Sequence, residues 1–141
     1  MGTDESRDLL NRYLDEVWGG GDPEAVTQYL DASYVRHISP TLPAIDRMQQ
    51  VDRLRSFRAA FRDIEIRLEA VVAEGDLISF RSTMRGTHQG SFLGLAPTGR
   101  HVTVGLIDIW RIEGGRVVEQ WGGPDTFDLL RQLGATFTPE T

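Results

Sequence analysis

The apolar residues of this chain change their spacing near residue 64, and that change limits the fold more than any other feature of the sequence. Leu9, Leu10, Tyr13, Leu14, Val17 and Trp18 recur at three- and four-residue steps, as do Ile45, Met48, Val51, Leu54, Phe57 and Phe61. Such steps gather side chains on one face of a helix. From Ile64 the step is two: Ile64, Ile66, Leu68, Ala70 and Val72, then Ile78, Phe80 and Met84 against Ser79, Arg81 and Thr83. Alternation sends every second side chain to the same face of a strand. Helices followed by a run of antiparallel strands predict an α+β fold.

Punctuation agrees with this division. Asp4 and Glu5 open the first helix, where its dipole favours anions, and Gly19-Gly20-Gly21 stops it. Asp22-Pro23 restarts a short second helix with Val26, Tyr29 and Leu30 inward, aspartate capping and proline in the first turn. Residues 33–43, SYVRHISPTLP, contain two prolines and read as irregular. The third helix carries Arg47, Arg53, Arg55, Arg58 and Arg62 opposite its apolar stripe, an arrangement read as a solvated face rather than an anion-binding strip. Residues 89–99, QGSFLGLAPTG, form an excursion too long for a tight hairpin. A short helix with Phe127, Leu129, Leu130 and Leu133 closes at Gly134, and the tail ATFTPET is loose or reaches a partner subunit. No repeat or boundary divides the chain, so residues 1–141 are expected to form one domain.

Two carboxylates interrupt the strands of residues 100–125, RHVTVGLIDIWRIEGGRVVEQWGGPD, which turn at Glu113-Gly114-Gly115. Val102, Val104, Leu106, Asp108 and Trp110 share one face. A carboxylate among apolar neighbours costs free energy unless it is paired or used. Asp108 is therefore either a general base with a pKa raised by burial or the partner of an arginine, Arg81 or Arg111. Asp125, in WGGPD before the last helix, is a site residue, a helix cap, or both. Of Glu119 and Gln120, alternation turns one inward.

Absences narrow the chemistry. There is no cysteine, and all 15 cationic residues are arginine, which removes thiolate and lysine Schiff-base catalysis. No two of the three histidines have ligand spacing, so no metal site is expected. A net charge of -6 speaks against a nucleic-acid partner. The acidic start MGTDESRDLL reads as no signal peptide, and no window approaches the roughly 20 apolar residues of a membrane span. A cytoplasmic protein without cofactor is the expectation.

Three segments resemble the SnoaL-like polyketide cyclases of the nuclear-transport-factor-2-like superfamily: AEGD at 73–76, GTHQGSFLGLAPTGR at 86–100 and IDIWRIEGGRVVEQW at 107–121, with LLRQLG at 129–134. The resemblance covers most of the chain from Leu9 to Gly134. It implies a cone-shaped barrel, a curved, mostly antiparallel mixed sheet wrapped around N-terminal helices with an apolar pocket at the open end. It also implies a homodimer packed through the exposed sheet face. The cyclases close rings on polyketide intermediates by an intramolecular aldol reaction without cofactor or metal, using an aspartate assisted by a histidine. Relatives on the same fold open epoxides, isomerise ketosteroids, assist hydroxylation or only bind, so the fold does not settle the reaction.

Mapped onto this chain, the resemblance places a catalytic carboxylate near Asp125. It gives His37, in the Tyr-x-x-His-x-x-Pro segment YVRHISP, a place near the pocket, and His88 in GTHQG a place in the signature loop. His37 is either a proton carrier or structural, and His88 either touches substrate or fixes its loop. Trp110, Trp121, Tyr34 and Phe92 are candidate pocket walls or ordinary core. Arg81 interrupts its strand and is a candidate for binding an enolate or carboxylate oxygen. The strand of Asp108 lacks the cyclases' supporting histidine. Arg111, three residues on, faces the other way, so the aspartate–arginine–aspartate set of the epoxide-opening relatives is not reproduced in sequence, which leaves Arg81 on the neighbouring strand as the candidate cation for that chemistry. The expected activity is acid–base ring closure or isomerisation of a hydrophobic, polyketide-like carbonyl compound by Asp108, Asp125 and His37. Epoxide opening, hydroxylation assistance and simple binding are the alternatives.

Overall fold

Alternating burial runs through the two longest strands, and it aligns the rest of the sheet. The computed structural model describes residues 2–20 and 22–139. Strand β4, Leu77–Thr87, buries every second residue, and strand β5, His101–Glu113, does so except at the half-buried Leu106. Their antiparallel register pairs Ile78 with Trp110, Phe80 with Asp108, Ser82 with Leu106 and Met84 with Val104, so one face carries all of these. Strand β3, Glu65–Glu74, pairs with β4, and β6, Arg116–Pro124, pairs with β5 around the Gly114-Gly115 turn. Strands β3 to β6 are thus a simple meander.

Two further strands extend the sheet beyond β6. Strand β1, Leu30–His37, lies parallel to β6, and the two-residue β2, Ile45–Asp46, borders β1, giving the order β2-β1-β6-β5-β4-β3. The sheet is mixed, six-stranded and open, with β2 and β3 at its edges. The irregular segment expected over residues 33–43 is corrected: its first five residues are the C-terminal part of β1. The prolines end the strand instead of interrupting it, and the inward Arg36 hides its alternation.

Helices cover the inner face. Helix α1, Thr3–Tyr13, buries Leu9, Leu10 and Tyr13, then widens into a π-helical turn, Leu14–Gly19, that buries Val17. Gly21, the last glycine of the expected stop, lies outside the described residues, as do Met1, Glu140 and Thr141. The second helix is a 3-10 turn, Pro23–Gln28, whose Asp22 side chain accepts from the Glu24 amide at 3.0 Å. Helix α2, Arg47–Ala60, begins with a reciprocal cap: Asp46 accepts from the Gln49 amide at 2.9 Å, and Gln49 Oε1 accepts from the Asp46 amide at 2.8 Å. Met48, expected inward, is 57% exposed, while Gln50 is buried. Helix α3, Thr126–Gln132, is the expected closing helix.

Two apolar clusters fill the interior. Leu9, Leu10, Tyr13, Leu54, Ile78, Phe80 and Trp110 lie in one; Phe61, Met84, Phe92, Val104 and Leu129 lie in the other. Trp110 is fully buried, edge-on to Tyr13 at 4.9 Å and to Phe80 at 5.1 Å. Burial of one such large side chain stabilises the fold by roughly 1.5–3 kcal/mol. Residues of both clusters also line the cavity between them, where the polar residues of the sheet's inner face gather.

Candidate active site

Asp108 faces this cavity because it keeps the inward parity of Val104 and Trp110 on β5. The polar groups around it come from the neighbouring strands. Gln120 is the inward member of the Glu119–Gln120 pair and donates from Nε2 to Asp108 Oδ1 at 2.9 Å. Tyr34 on β1 donates its hydroxyl to Gln120 Oε1 at 2.6 Å, which fixes the direction of the amide. Arg36, two residues along β1, places Nη2 3.3 Å from Asp108 Oδ1 and 2.7 Å from the Gly122 carbonyl. Among the described residues no protein donor reaches Asp108 Oδ2, so that oxygen is the free end of the carboxylate.

Glycine makes this convergence possible. Gly122 has φ +89, and a Cβ there would lie 2.1 Å from the Ile107 carbonyl. Gly123 has φ +145, and a Cβ there would lie 2.7 Å from Arg36 Nη2 and 3.6 Å from Arg53 Nη2. Only glycine combines these backbone angles with so little space. The two guanidinium groups thus share the gap that a side chain at 123 would fill.

The cavity lining is largely apolar: Tyr13, Leu14, Trp18, Phe57, Met84 and Leu106 surround Arg36, Arg53, Asp108, Gln120, Gln50 and Ser82. Asp108 is only 4% exposed. Burial pushes its carboxyl above the ordinary aspartate range, against the opposing pull of Arg36, Gln120 and Arg53. Burial raises Tyr13 to about 12, so its phenol stays protonated near neutral pH. Burial and the nearby Arg36 lower Arg53 to about 10, which leaves it cationic there. The cavity measures about 50 Å³, room for a few waters. Pockets for ordinary hydrophobic ligands take roughly 300 Å³ or more, so lining side chains must move outward to admit one.

Several sequence candidates lie elsewhere. Arg81 is exposed on the outer face of β4, opposite Ala70 and Ile107, and does not reach Asp108. Arg111 pairs with Glu113 and Glu119. His37 also faces outward, its Nε2 2.7 Å from Glu119 Oε2 and its ring stacked on Trp121 at 5.5 Å. The parity that turns Arg36 into the cavity turns His37 and Trp121 out of it.

Trp110 and Tyr34 lie in the core beneath the cavity, and Phe92 packs on Phe57 and Phe61 in the second cluster. His88 fastens the 89–99 excursion. Its backbone pairs with Gly99 and Arg100, and its Nδ1 accepts from the Thr98 amide at 3.2 Å. Asp125 is exposed and accepts from the Asp128 amide at 3.0 Å as the cap of α3. It lines an outer groove that shares Arg53 and Pro124 with the cavity, whereas Asp108 lines the cavity and not the groove.

The residues missed in sequence are Arg36 and Arg53. Arg36 lies inward on β1, a strand whose polar residues mask its alternation. Arg53 reads as part of the solvated arginine face, although it stands three residues after Gln50 and four before Phe57, the spacing that puts all three on the cavity side. Among the described residues no three His, Asp or Glu side chains gather as metal ligands would.

A mixed, open sheet curved over helices around a buried polar cluster is the cone fold of the nuclear-transport-factor-2-like class. The chain belongs to the SnoaL-like polyketide cyclase family, whose profile matches residues 8–133. AclR from Streptomyces galilaeus, provisionally assigned as a hydroxylase, is 26% identical with a TM-score of 0.86, over 99% of this chain and 87% of that one. TsrD from Streptomyces laurentii is 29% identical with a TM-score of 0.84, over 96% and 99%. IdmH from Streptomyces antibioticus, provisionally assigned as a polyketide cyclase, is 28% identical with a TM-score of 0.78, over 92% and 98%. No curated protein matches the chain.

Proposed function

We propose that the chain is a cofactor-free acid–base enzyme of secondary metabolism that closes or isomerises a ring on a hydrophobic carbonyl substrate. The observation that carries this reading is Asp108: a buried carboxylate with one oxygen held by Arg36 and Gln120 and the other free toward an apolar cavity. Oδ2 removes a proton from a carbon activated by flanking carbonyls, and the substrate becomes an enolate. Asp108 is then neutral, so the Arg36 charge it had balanced is released to the new enolate oxygen. Arg36 thereby interacts more strongly with the charged state than with the substrate, as catalysis requires. The enolate carbon attacks a second carbonyl of the same molecule, one carbon–carbon bond forms, and the resulting alkoxide recovers the proton from Asp108.

A second reading draws on the similarity to AclR. In it Asp108 activates a water or a hydroxyl instead of a carbon acid, with the same residues in the same places. The outer sheet face leaves Val72, Ile107 and Ile109 exposed, an apolar patch that supports a homodimer. Size-exclusion chromatography with light scattering tests that assembly.

The proton-transfer step is tested without knowledge of the natural substrate. Deuterium uptake from heavy water into 2-tetralone, a hydrophobic ketone with acidic α-protons, reports enolate formation by NMR. Asp108→Asn is expected to slow the catalysed uptake by roughly 10²–10⁴ while circular dichroism stays unchanged. Equal rates in the two proteins would sink the reading.

A further inference from the structure

The cavity holds one more positive charge than its own residues balance. Arg36 and Arg53 both line it, and Asp108 is the only carboxylate among its lining residues. Asp108 pairs with Arg36. Among the described residues, Arg53 has no hydrogen-bond acceptor and no salt-bridge partner; its guanidinium carbon lies 5.5 Å from the centre of the Phe57 ring. Arg53 is partly withdrawn from water, at a cost that no acceptor among the described residues offsets. Gly123 keeps a gap open beside the two Nη2 groups.

Resting on the proton-transfer reading above, we propose that Arg53 is the docking point for an anionic group of the substrate, which is a hydrophobic carbonyl compound carrying a carboxylate. A carboxylate suits the site in charge and shape. The cavity lacks one negative charge, which a monoanion supplies and a phosphate dianion exceeds. The guanidinium fork accepts both carboxylate oxygens side by side. The enolate does not fill this role, since it arises during the reaction and takes over Arg36 as Asp108 is neutralised. Tyr13 and Tyr34 remain phenols and leave the charge count unchanged. Asp125, which lines the adjoining groove with Arg53, is engaged as the cap of α3. With its carboxylate on Arg53, the substrate's apolar body extends toward Trp18, Phe57 and Leu106, and its reacting carbon faces Asp108.

The test compares 2-naphthoate with its neutral isostere 2-naphthamide by isothermal titration calorimetry. Wild-type protein is expected to bind the acid at least about tenfold more tightly, as a desolvated charge-assisted pair implies. Arg53→Gln is expected to lose this preference and Arg53→Lys to keep part of it. Equal affinity for acid and amide in the wild type, no binding of naphthoate, or a preference that survives Arg53→Gln each overturns the proposal. Asp108→Asn is assayed in parallel for 2-tetralone exchange. Loss of exchange together with equal probe affinities leaves the catalytic reading standing without the anion site. An acid preference abolished by Arg53→Gln, with exchange intact in Asp108→Asn, leaves the anion site standing without that chemistry.

Discussion

Arg36 meets Asp108 across 72 residues of sequence: its Nη2 lies 3.3 Å from Asp108 Oδ1 and, by the same nitrogen, 2.7 Å from the Gly122 carbonyl. One guanidinium group therefore ties β1 to both β5 and β6 at the level of the cavity. Both members of the pair are almost completely buried. The free energy of such a pair lies less in its attraction than in the cost of leaving either member alone.

Removal of the cation exposes that cost. Arg36→Met is expected to destabilise the fold by about 3–5 kcal/mol near neutral pH, the range found when one partner of a buried ion pair is removed. The deficit should shrink in acid. Loss of Arg36 raises the folded-state pKa of Asp108 further above its unfolded value, so stability is retained at low pH and lost as pH rises through the folded value. Urea unfolding at neutral and acid pH measures both numbers, and a deficit that grows in acid contradicts the pairing.

The same carboxylate should shape the pH profile. The groups facing it are Arg36 and Tyr34 from β1, Arg53 from α2, Tyr13 from α1 and Gln120 from β6. Proton removal requires ionised Asp108, so kcat/KM for 2-tetralone exchange should rise with pH along a limb above the ordinary aspartate value. Arg53 lowers the Asp108 pKa, and Arg53→Gln should therefore move that limb to higher pH. A limb at the ordinary aspartate value, or a shift downward, argues against Asp108 as the base.

His37 and Asp125 make the complementary case, since each looks catalytic in sequence and neither faces the cavity. His37→Ala should leave the exchange rate unchanged, because its ring lies with Glu119 and Trp121 on the outer face. Asp125→Ala should cost about 1 kcal/mol of stability through the lost cap and leave exchange intact. A drop of ~100-fold in either variant, the scale of a lost acid–base group, would move the site to the other side of the sheet.

Two glycines of the same hairpin should respond in opposite ways. Gly122→Ala combines a positive φ with a Cβ 2.1 Å from the Ile107 carbonyl and should cost at least ~1–3 kcal/mol. Gly105 on β5 has open space where a Cβ would stand, and Gly105→Ala should be neutral or slightly stabilising. Thermal unfolding of the two variants checks the contrast.

The parts of the site that could be read in sequence are those whose cause is local. Asp108 stands out because two-residue alternation is a property of one strand, and the same alternation turns one of Glu119 and Gln120 inward. Arg36 depends on a parallel pairing between β1 and β6 that no local pattern encodes, and Asp31, Ser33 and Arg36 make its strand look polar. Arg53 was concealed by company: five arginines share helix α2 and its C-terminal end, and composition alone assigns them all to solvent. His37 is the converse case, a residue whose motif suggested the cavity and whose parity removes it.

The parallel seam between β1 and β6 also sets the order in which the site can come into being. Strands β3 to β6 pair with their neighbours in sequence, whereas Tyr34 and Arg36 reach partners 86 residues away. Long-range contacts of this kind form late, because loop closure must precede them. A chain folded only as far as the meander would present Asp108 and Gln120 with no cation beside them. The arrival of β1 is thus also the assembly of the charge pair, and a complete site reports a completed sheet.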